Sequence, residues 1–257
     1  MVLPFTKMEG LGNDFVMVED FRPDADQVRA WCDRRLGIGA DGVLSLSRSS
    51  RAGVVVRMDY WNSNGSGAEM CGNGLRCVAR YVFDRDWTRD RSFGVETPVG
   101  LRQVEVRADG LVRAELGPYS LGSSVEACGF SFTSAEVGNP HAVAFVADQA
   151  ALDKADLEAI GPAMQDHPAF PEGVNVELVA PCSAGAWQVR VWERGVGETR
   201  ACGTGAAAVA AVVAARSGER DPVGIRLPGG ELGVELIDGA AWIQGPAVQV
   251  FEGTIRI

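Results

Sequence analysis

Lysine is nearly missing from this chain. Of 24 basic residues only Lys7 and Lys154 are lysines, and the only histidines are His141 and His167. No basic run exists that could track a phosphate backbone, and the formal net charge is −10, so no nucleic-acid partner is expected. Neither lysine stands in a recognisable Schiff-base context. No Cys-x-x-Cys pair occurs, and Cys71 and Cys77 have no His nearby, so a zinc site is not expected. The chain is therefore read as needing no cofactor and no metal. The stretch MVLPFTKMEG has no apolar signal-peptide core. The longest apolar run beside a helical pattern, AAAVAAVVAA at 206–215, is too short to span a bilayer, so no membrane partner is expected. Six cysteines without a secretion signal read as reduced thiols in a cytoplasmic protein.

What the chain does have is size and repetition. Its 257 residues, 46% of them hydrophobic, suffice for one large domain or two smaller ones. Residues 70–74 read MCGNG and residues 201–205 read ACGTG. A spacing of 131 separates Cys71 from Cys202, and the same 131 separates Trp61 from Trp192. In this register Gly72, Gly74, Val78 and Ala79 match Gly203, Gly205, Val209 and Ala210 without a gap. Upstream, FTKMEGLGND (5–14) resembles FTSAEVGNPH (132–141); downstream, TPVGLRQVEVRADG (97–110) resembles LPGGELGVELIDG (227–239). Short repeats mean solenoids, but a long unit occurring twice reads as two homologous lobes.

Each lobe shows the same order. Residues 54–61 and 187–192 alternate as strands, a polar Gly-bearing loop follows, then Cys-Gly-x-Gly, then helical segments at 75–83 and 206–216. Second helices are expected over 25–35 and 151–164. The predicted fold is α+β: two pseudo-symmetric lobes, each a mixed or antiparallel sheet wrapped around a largely apolar helix, with the active site in the cleft between them. The expected domains are 1–118 for lobe 1 and 119–247 for lobe 2, with 248–257 following the second repeat unit.

Each motif cysteine precedes a helix. Helix N-termini carry unpaired N–H groups and partial positive charge, which favour a thiolate and bind an anion such as a carboxylate. Glycine at the next positions lets a ligand approach the backbone. Two thiols on opposite sides of one carboxylate suit stereoinversion at the adjacent carbon: one thiolate removes the α-proton and the opposite thiol protonates the other face. Duplication then has a reason, because the reaction runs from either enantiomer. Cys32, Cys77, Cys128 and Cys182 lack this setting and read as packing or incidental.

Several blocks together resemble the pyridoxal-independent diaminopimelate epimerase family over nearly the whole chain: KMEGLGNDFV (7–16), GIGADGV (37–43), NSNGSGAEMCGNGLR (62–76), GNPHAV (138–143), GVNVE (173–177) and ERGVGETRACGTGA (193–206). The resemblance implies catalytic roles for Cys71 and Cys202, and a backbone cradle for the reacting carboxylate at Gly72-Asn73 and Gly203-Thr204. It implies a grip on the distal amino-acid end by Asn62, Asn139, Asn175 and Arg194, with Asn13 lining the same pocket. It places Glu193 and His141 beside the thiols, and it implies that a C-terminal strand over 248–257 crosses back to join lobe 1. A small-molecule substrate and a homodimer complete the implied partners. The chain departs from the family at Asn64 (usually Asp), Ala142 (often Cys) and Gly42 (Gln in some members).

Three other readings compete. A racemase for a different amino acid would use the same fold. A non-catalytic binder or thiol sensor would pair Cys71 with Cys202 as a disulfide. Dinucleotide binding is suggested by GIGADG (37–42) and GTGAAA (203–208). It fails because helix-like sequence precedes the first motif, and the loop before the second is too long for the fingerprint's tight turn.

Overall fold

Strands β1 (Val2–Gly10) and β2 (Asn13–Glu19) form a hairpin whose turn puts Leu11 and Gly12 at φ +60° and +78°. The side chains of β2 alternate strictly. Val16 and Val18 join Val28, Trp31 and Trp61 in one core, so Phe15 and Met17 are left for the opposite face. Both faces of this sheet are thus buried, which accounts for the near-continuous apolar strands. The computed structural model describes residues 2–68, 70–182, 185–218 and 222–257. Within it the chain divides into one unit of Met1–Ala114 with Gly245–Ile257, and a second of Glu115–Gln244.

In the first unit, helix α1 (Ala25–Cys32) is followed by β3 (Gly42–Arg48), β4 (Val54–Asn62), the short β5 (Gly67–Ala68), helix α2 (Gly72–Asp84), β6 (Ser92–Thr97), β7 (Gly100–Val106) and the start of β8 (Val112–Pro118). The C-terminal strand Val248–Arg256 pairs antiparallel with β1. From that strand inward the order is β1, β2, β3, β4, β6, β7, β8, parallel only at β2–β3 and β4–β6. Helix α2 packs on β1, β2 and β7, while α1 lies against β3.

The second unit repeats this ladder. Its elements are β9 (Ser120–Ala127), β10 (Phe130–Glu136), β11 (Pro140–Phe145), α3 (Gln149–Lys154), α4 (Leu157–Gln165), β12 (Asn175–Pro181), β13 (Trp187–Glu193), β14 (Gly197–Thr199), α5 (Gly203–Ser217), β15 (Val223–Leu227), β16 (Gly230–Ile237) and β17 (Ala240–Gly245). The order is β9, β10, β11, β12, β13, β15, β16, β17, with parallel pairs again only at β11–β12 and β13–β15. Helix α5 is buried from Gly203 to Val213 apart from a half-buried Thr204, and packs against strands from β9 to β16. An Ala/Val helix without a polar face is stable only when enclosed. The α+β class of paired sheets around apolar helices is thus observed in each unit.

Three local expectations need correction. The helix expected over 151–164 is two helices, because Asp156 accepts the Ala159 N–H and starts a new N-cap after Ala155 turns extended (φ −65°, ψ 128°). The helix expected over 25–35 stops at Cys32, where Asp33 Oδ1 takes the N–H groups of Arg35 and Leu36 at 2.7 Å each. The polar loops before both motif cysteines contain strands too short to show periodicity: β5 on β4 and β14 on β13.

Candidate active site

Cys71 and Cys202 are themselves the N-cap residues of α2 and α5. Both have extended backbones, φ −146°, ψ 107° and φ −124°, ψ 113°. The third helical N–H donates to the sulfur in each, Gly74 to Cys71 and Gly205 to Cys202, at 3.3 Å. A sulfur thus occupies the place where Ser or Asp usually caps a helix. The N–H groups of Gly72 and Asn73, and of Gly203 and Thr204, belong to the first turns, which an α-helix cannot satisfy from its own ladder.

In the first unit, Asn13 Oδ1 lies 3.8 Å from Cys71 Sγ and 3.3 Å from Asn73 Nδ2. Asn13 is held from behind by Asp41 Oδ2 at 2.8 Å. Asp41 belongs to an ion network in which Asp14 meets Lys7 at 2.8 Å and Arg34 at 2.7 Å, while Arg34 also meets Asp41 at 2.7 Å. Burial pushes the Asp14 carboxyl up, but Arg34 and Lys7 outweigh it and hold the group at about 2. Lys7 is buried here and also donates to the Gly39 carbonyl, whereas Lys154 is exposed at the end of α3. Below the Cys71 turn lies Arg76, wholly buried. Its Nη1 donates to Asn73 Oδ1 at 2.9 Å and its Nε to the Pro246 carbonyl at 3.3 Å, while Nη2 has no partner among the described residues. Burial pulls this guanidinium below its ordinary range.

In the second unit, Cys202 lies 3.5 Å from the Thr204 hydroxyl and is almost fully buried. Burial pushes its thiol well up, and the Glu193 and Glu177 carboxylates add to that rise. The Thr204 hydroxyl and the Gly205 N–H at the helix start act in the opposite direction. Glu193, held by the Thr199 hydroxyl at 2.5 Å, is itself raised, first by burial and then by Glu177. His141 is enclosed between Glu177 Oε1 at Nδ1, 2.7 Å, and Asn139 Oδ1 at Nε2, 2.8 Å. Asn175 donates to the Pro140 carbonyl at 3.0 Å and accepts the Arg194 N–H at 2.9 Å, so the two expected gripping residues are joined. The exposed Arg194 side chain rests one nitrogen on the Glu172 carbonyl at 3.0 Å.

Asn62 stays within its own turn, with Nδ2 3.1 Å from Ser66 Oγ. Asn64 shapes the same turn by accepting the Ser66 N–H at 2.8 Å. Glu69, inside the block preceding Cys71, lies outside the described residues. Two buried charged residues were overlooked: Arg76 and Glu177. The signal for each was present, a charge inside an apolar helix and an acid on the period-2 face of NVELVAP. Among the described residues no three His, Cys, Asp or Glu side chains cluster to hold a metal ion, and no helix is long and apolar enough to cross a membrane.

Two matching sheets, each enclosing a helix capped by cysteine, place the chain in a known class of fold. The solved structure of a Bacillus anthracis phenazine biosynthesis protein of the PhzF family superposes with a TM-score of 0.79 over all of both chains, at 14% identity. The sequence narrows this further. The profile of the diaminopimelate epimerase family matches residues 5–122 and 133–254. The diaminopimelate epimerases of Desulforudis audaxviator and Stutzerimonas stutzeri are 45% and 40% identical, covering 98% and 100% of both chains. The chain belongs to the diaminopimelate epimerase family.

Proposed function

We propose that this chain is a diaminopimelate epimerase, interconverting the LL and meso forms for lysine and peptidoglycan precursor synthesis, and that it uses two cysteines and neither pyridoxal phosphate nor a metal. One thiolate takes the proton from the α-carbon, and the electron pair left behind spreads into the adjoining carboxylate. The other thiol gives its proton to the opposite face. One thiolate and one thiol remain, with their roles exchanged. The first-turn N–H groups of Gly72-Asn73 and Gly203-Thr204 receive the carboxylate as its charge grows, where fixed donors are worth most. The distal amino-acid end is held by Asn62, Asn139, Asn175 and Arg194, the last through a two-pronged contact to carboxylate.

The observation that carries this reading is the pair of cysteine N-caps, each with its sulfur on the third helical N–H at 3.3 Å. Its independence from pyridoxal phosphate rests on the two lysines, one engaged with Asp14 and the other on the exposed end of α3. The protein is taken to act in the cytoplasm as a homodimer. The test is incubation with LL-diaminopimelate in D₂O without added cofactor, followed by NMR and chiral analysis. Deuterium at Cα with formation of the meso isomer is expected. Activity on another amino acid, with diaminopimelate inert, would overturn the substrate; no exchange with any amino acid would overturn the chemistry.

A further inference from the structure

The sheet faces beneath the two Cys helices differ at two positions fixed by register. Val43 lies opposite Trp61 as Val176 lies opposite Trp192, so Leu44 corresponds to Glu177. Phe15 lies beside Gly42 as His141 lies beside Asn175, so Phe15 corresponds to His141. The helix glycines record the difference. A Cβ on Gly74 would meet Leu44 Cδ1 at 3.4 Å, whereas one on Gly205 would meet Glu177 Oε1 at 2.6 Å. Glu177 is fully buried, and its Oε2 has no partner among the described residues. An apolar pair fits this place in the first unit, so packing alone does not call for an acid and a histidine. In the first unit the buried charge has the opposite sign: Arg76 stands where the 131-residue offset puts Ala207.

We propose that Glu177 is a positioning residue that keeps the proton on Cys202, so that the resting protein holds a thiol at Cys202 and leaves the thiolate to Cys71. This rests on the reading of the two cysteines as the acid–base pair. The groups facing Cys202 are Glu193 from β13, Glu177 from β12 with His141 of β11 behind it, and the Thr204 hydroxyl and Gly205 N–H of α5 itself. The two carboxylates oppose a second negative charge on the sulfur, and burial acts in the same direction. His141 fixes the Glu177 carboxylate at 2.7 Å.

Unequal neighbours serve a two-thiol reaction. Only the form with one proton on the pair can work: two thiols lack a base, and two thiolates lack an acid. Two identical sites would lose their protons over nearly the same pH interval. Pushing the two titrations apart widens the interval in which the singly protonated form dominates.

The experiment is peptide-mapped alkylation by iodoacetamide across the alkaline range, on wild type and on the near-isosteric Glu177→Gln. The midpoint of each cysteine's pH dependence is read rather than its rate, because Cys71 is the more exposed. In wild type, Cys71 titrates below Cys202. In Glu177→Gln, the Cys202 midpoint falls by about one unit, making its alkylation below that midpoint on the order of ten-fold faster. The Cys71 midpoint stays in place, and the kcat/KM profile narrows from its alkaline side. An unmoved Cys202 midpoint, or one that moves with that of Cys71, overturns the proposal; a purely structural Glu177 gives the former with lowered stability. Should the variant not fold, wild type decides alone: Cys202 titrating at or below Cys71 overturns the proposal, and the opposite order supports it. The alkylation result does not depend on turnover of diaminopimelate, so failure of the substrate assignment is separately visible.

Discussion

Glu177 Oε1 lies where a Cβ on Gly205 would come within 2.6 Å, so the first turn of α5 closes over a carboxylate only because residue 205 is glycine. Gly205→Ala is therefore expected to lose about 1–3 kcal/mol, through displacement of a buried, hydrogen-bonded side chain. Gly74→Ala, whose new methyl would meet only ordinary contacts at 3.4 Å, is expected to be neutral or slightly stabilising, because alanine favours helix. Thermal midpoints of the two variants test the contrast, and equal losses would refute it.

Cys71→Ala and Cys202→Ala are each expected to abolish net epimerisation, by at least about three orders of magnitude on the scale of lost acid–base catalysis. Cys182→Ala should retain activity. So should Cys32→Ala, whose side chain packs in the apolar core of the first unit and caps no helix start. The assay is solvent deuterium exchange combined with chiral analysis. Full activity in either catalytic variant would end the two-base mechanism.

Asp14 gives a pH dependence with a defined sign. Its folded-state carboxyl sits at about 2, below the ordinary 3.8, so it contributes stability above pH ~4 that is lost as pH falls towards 2. The shift corresponds to roughly 2 kcal/mol. Asp14→Asn should be less stable than wild type at neutral pH, and the gap should close on acidification. Denaturant midpoints at a series of pH values measure it, and a gap independent of pH would contradict it.

Arg194→Met should raise KM for diaminopimelate at least about ten-fold, on the scale of a lost charge-assisted contact, with a smaller change in kcat. Its guanidinium is exposed and, among the described residues, its side chain bonds to the Glu172 carbonyl alone, so the fold should survive. Steady-state kinetics with circular dichroism would check both halves, and an unchanged KM would remove Arg194 from the substrate grip.

The sequence was most informative where a signal was repeated. The equal spacing of Trp61/Trp192 and Cys71/Cys202 exposed the duplication, and Cys-Gly-x-Gly before an apolar run marked both helix starts. It was least informative where one side chain overrides a pattern. Asp156 splits α3 from α4 through a single cap, and Asp33 ends α1 through a single turn. Glu177 escaped for another reason, although the resemblance already put its partner His141 beside the thiols. Their significance lies in the contrast with Leu44 and Phe15, which appears only once strand register shows which positions correspond. The opposing influences on the Cys202 thiol were equally hidden, because helix position favours a thiolate while burial and two carboxylates oppose one.

The pairing of β1 with the strand Val248–Arg256 has a consequence for biosynthesis. On the ribosome β1 emerges before the second unit, yet its outer neighbour emerges only after every strand of that unit. The second unit draws its strands from the contiguous stretch Glu115–Gln244 and can close without the strand Val248–Arg256. The first unit must wait, with β1 as an open edge that invites wrong pairing. The half of the chain made first is thus the half finished last. Released chains truncated just before residue 245 should therefore show a protease-resistant second unit and a sensitive first one, and equal resistance of both would argue that β1 does not need its late partner.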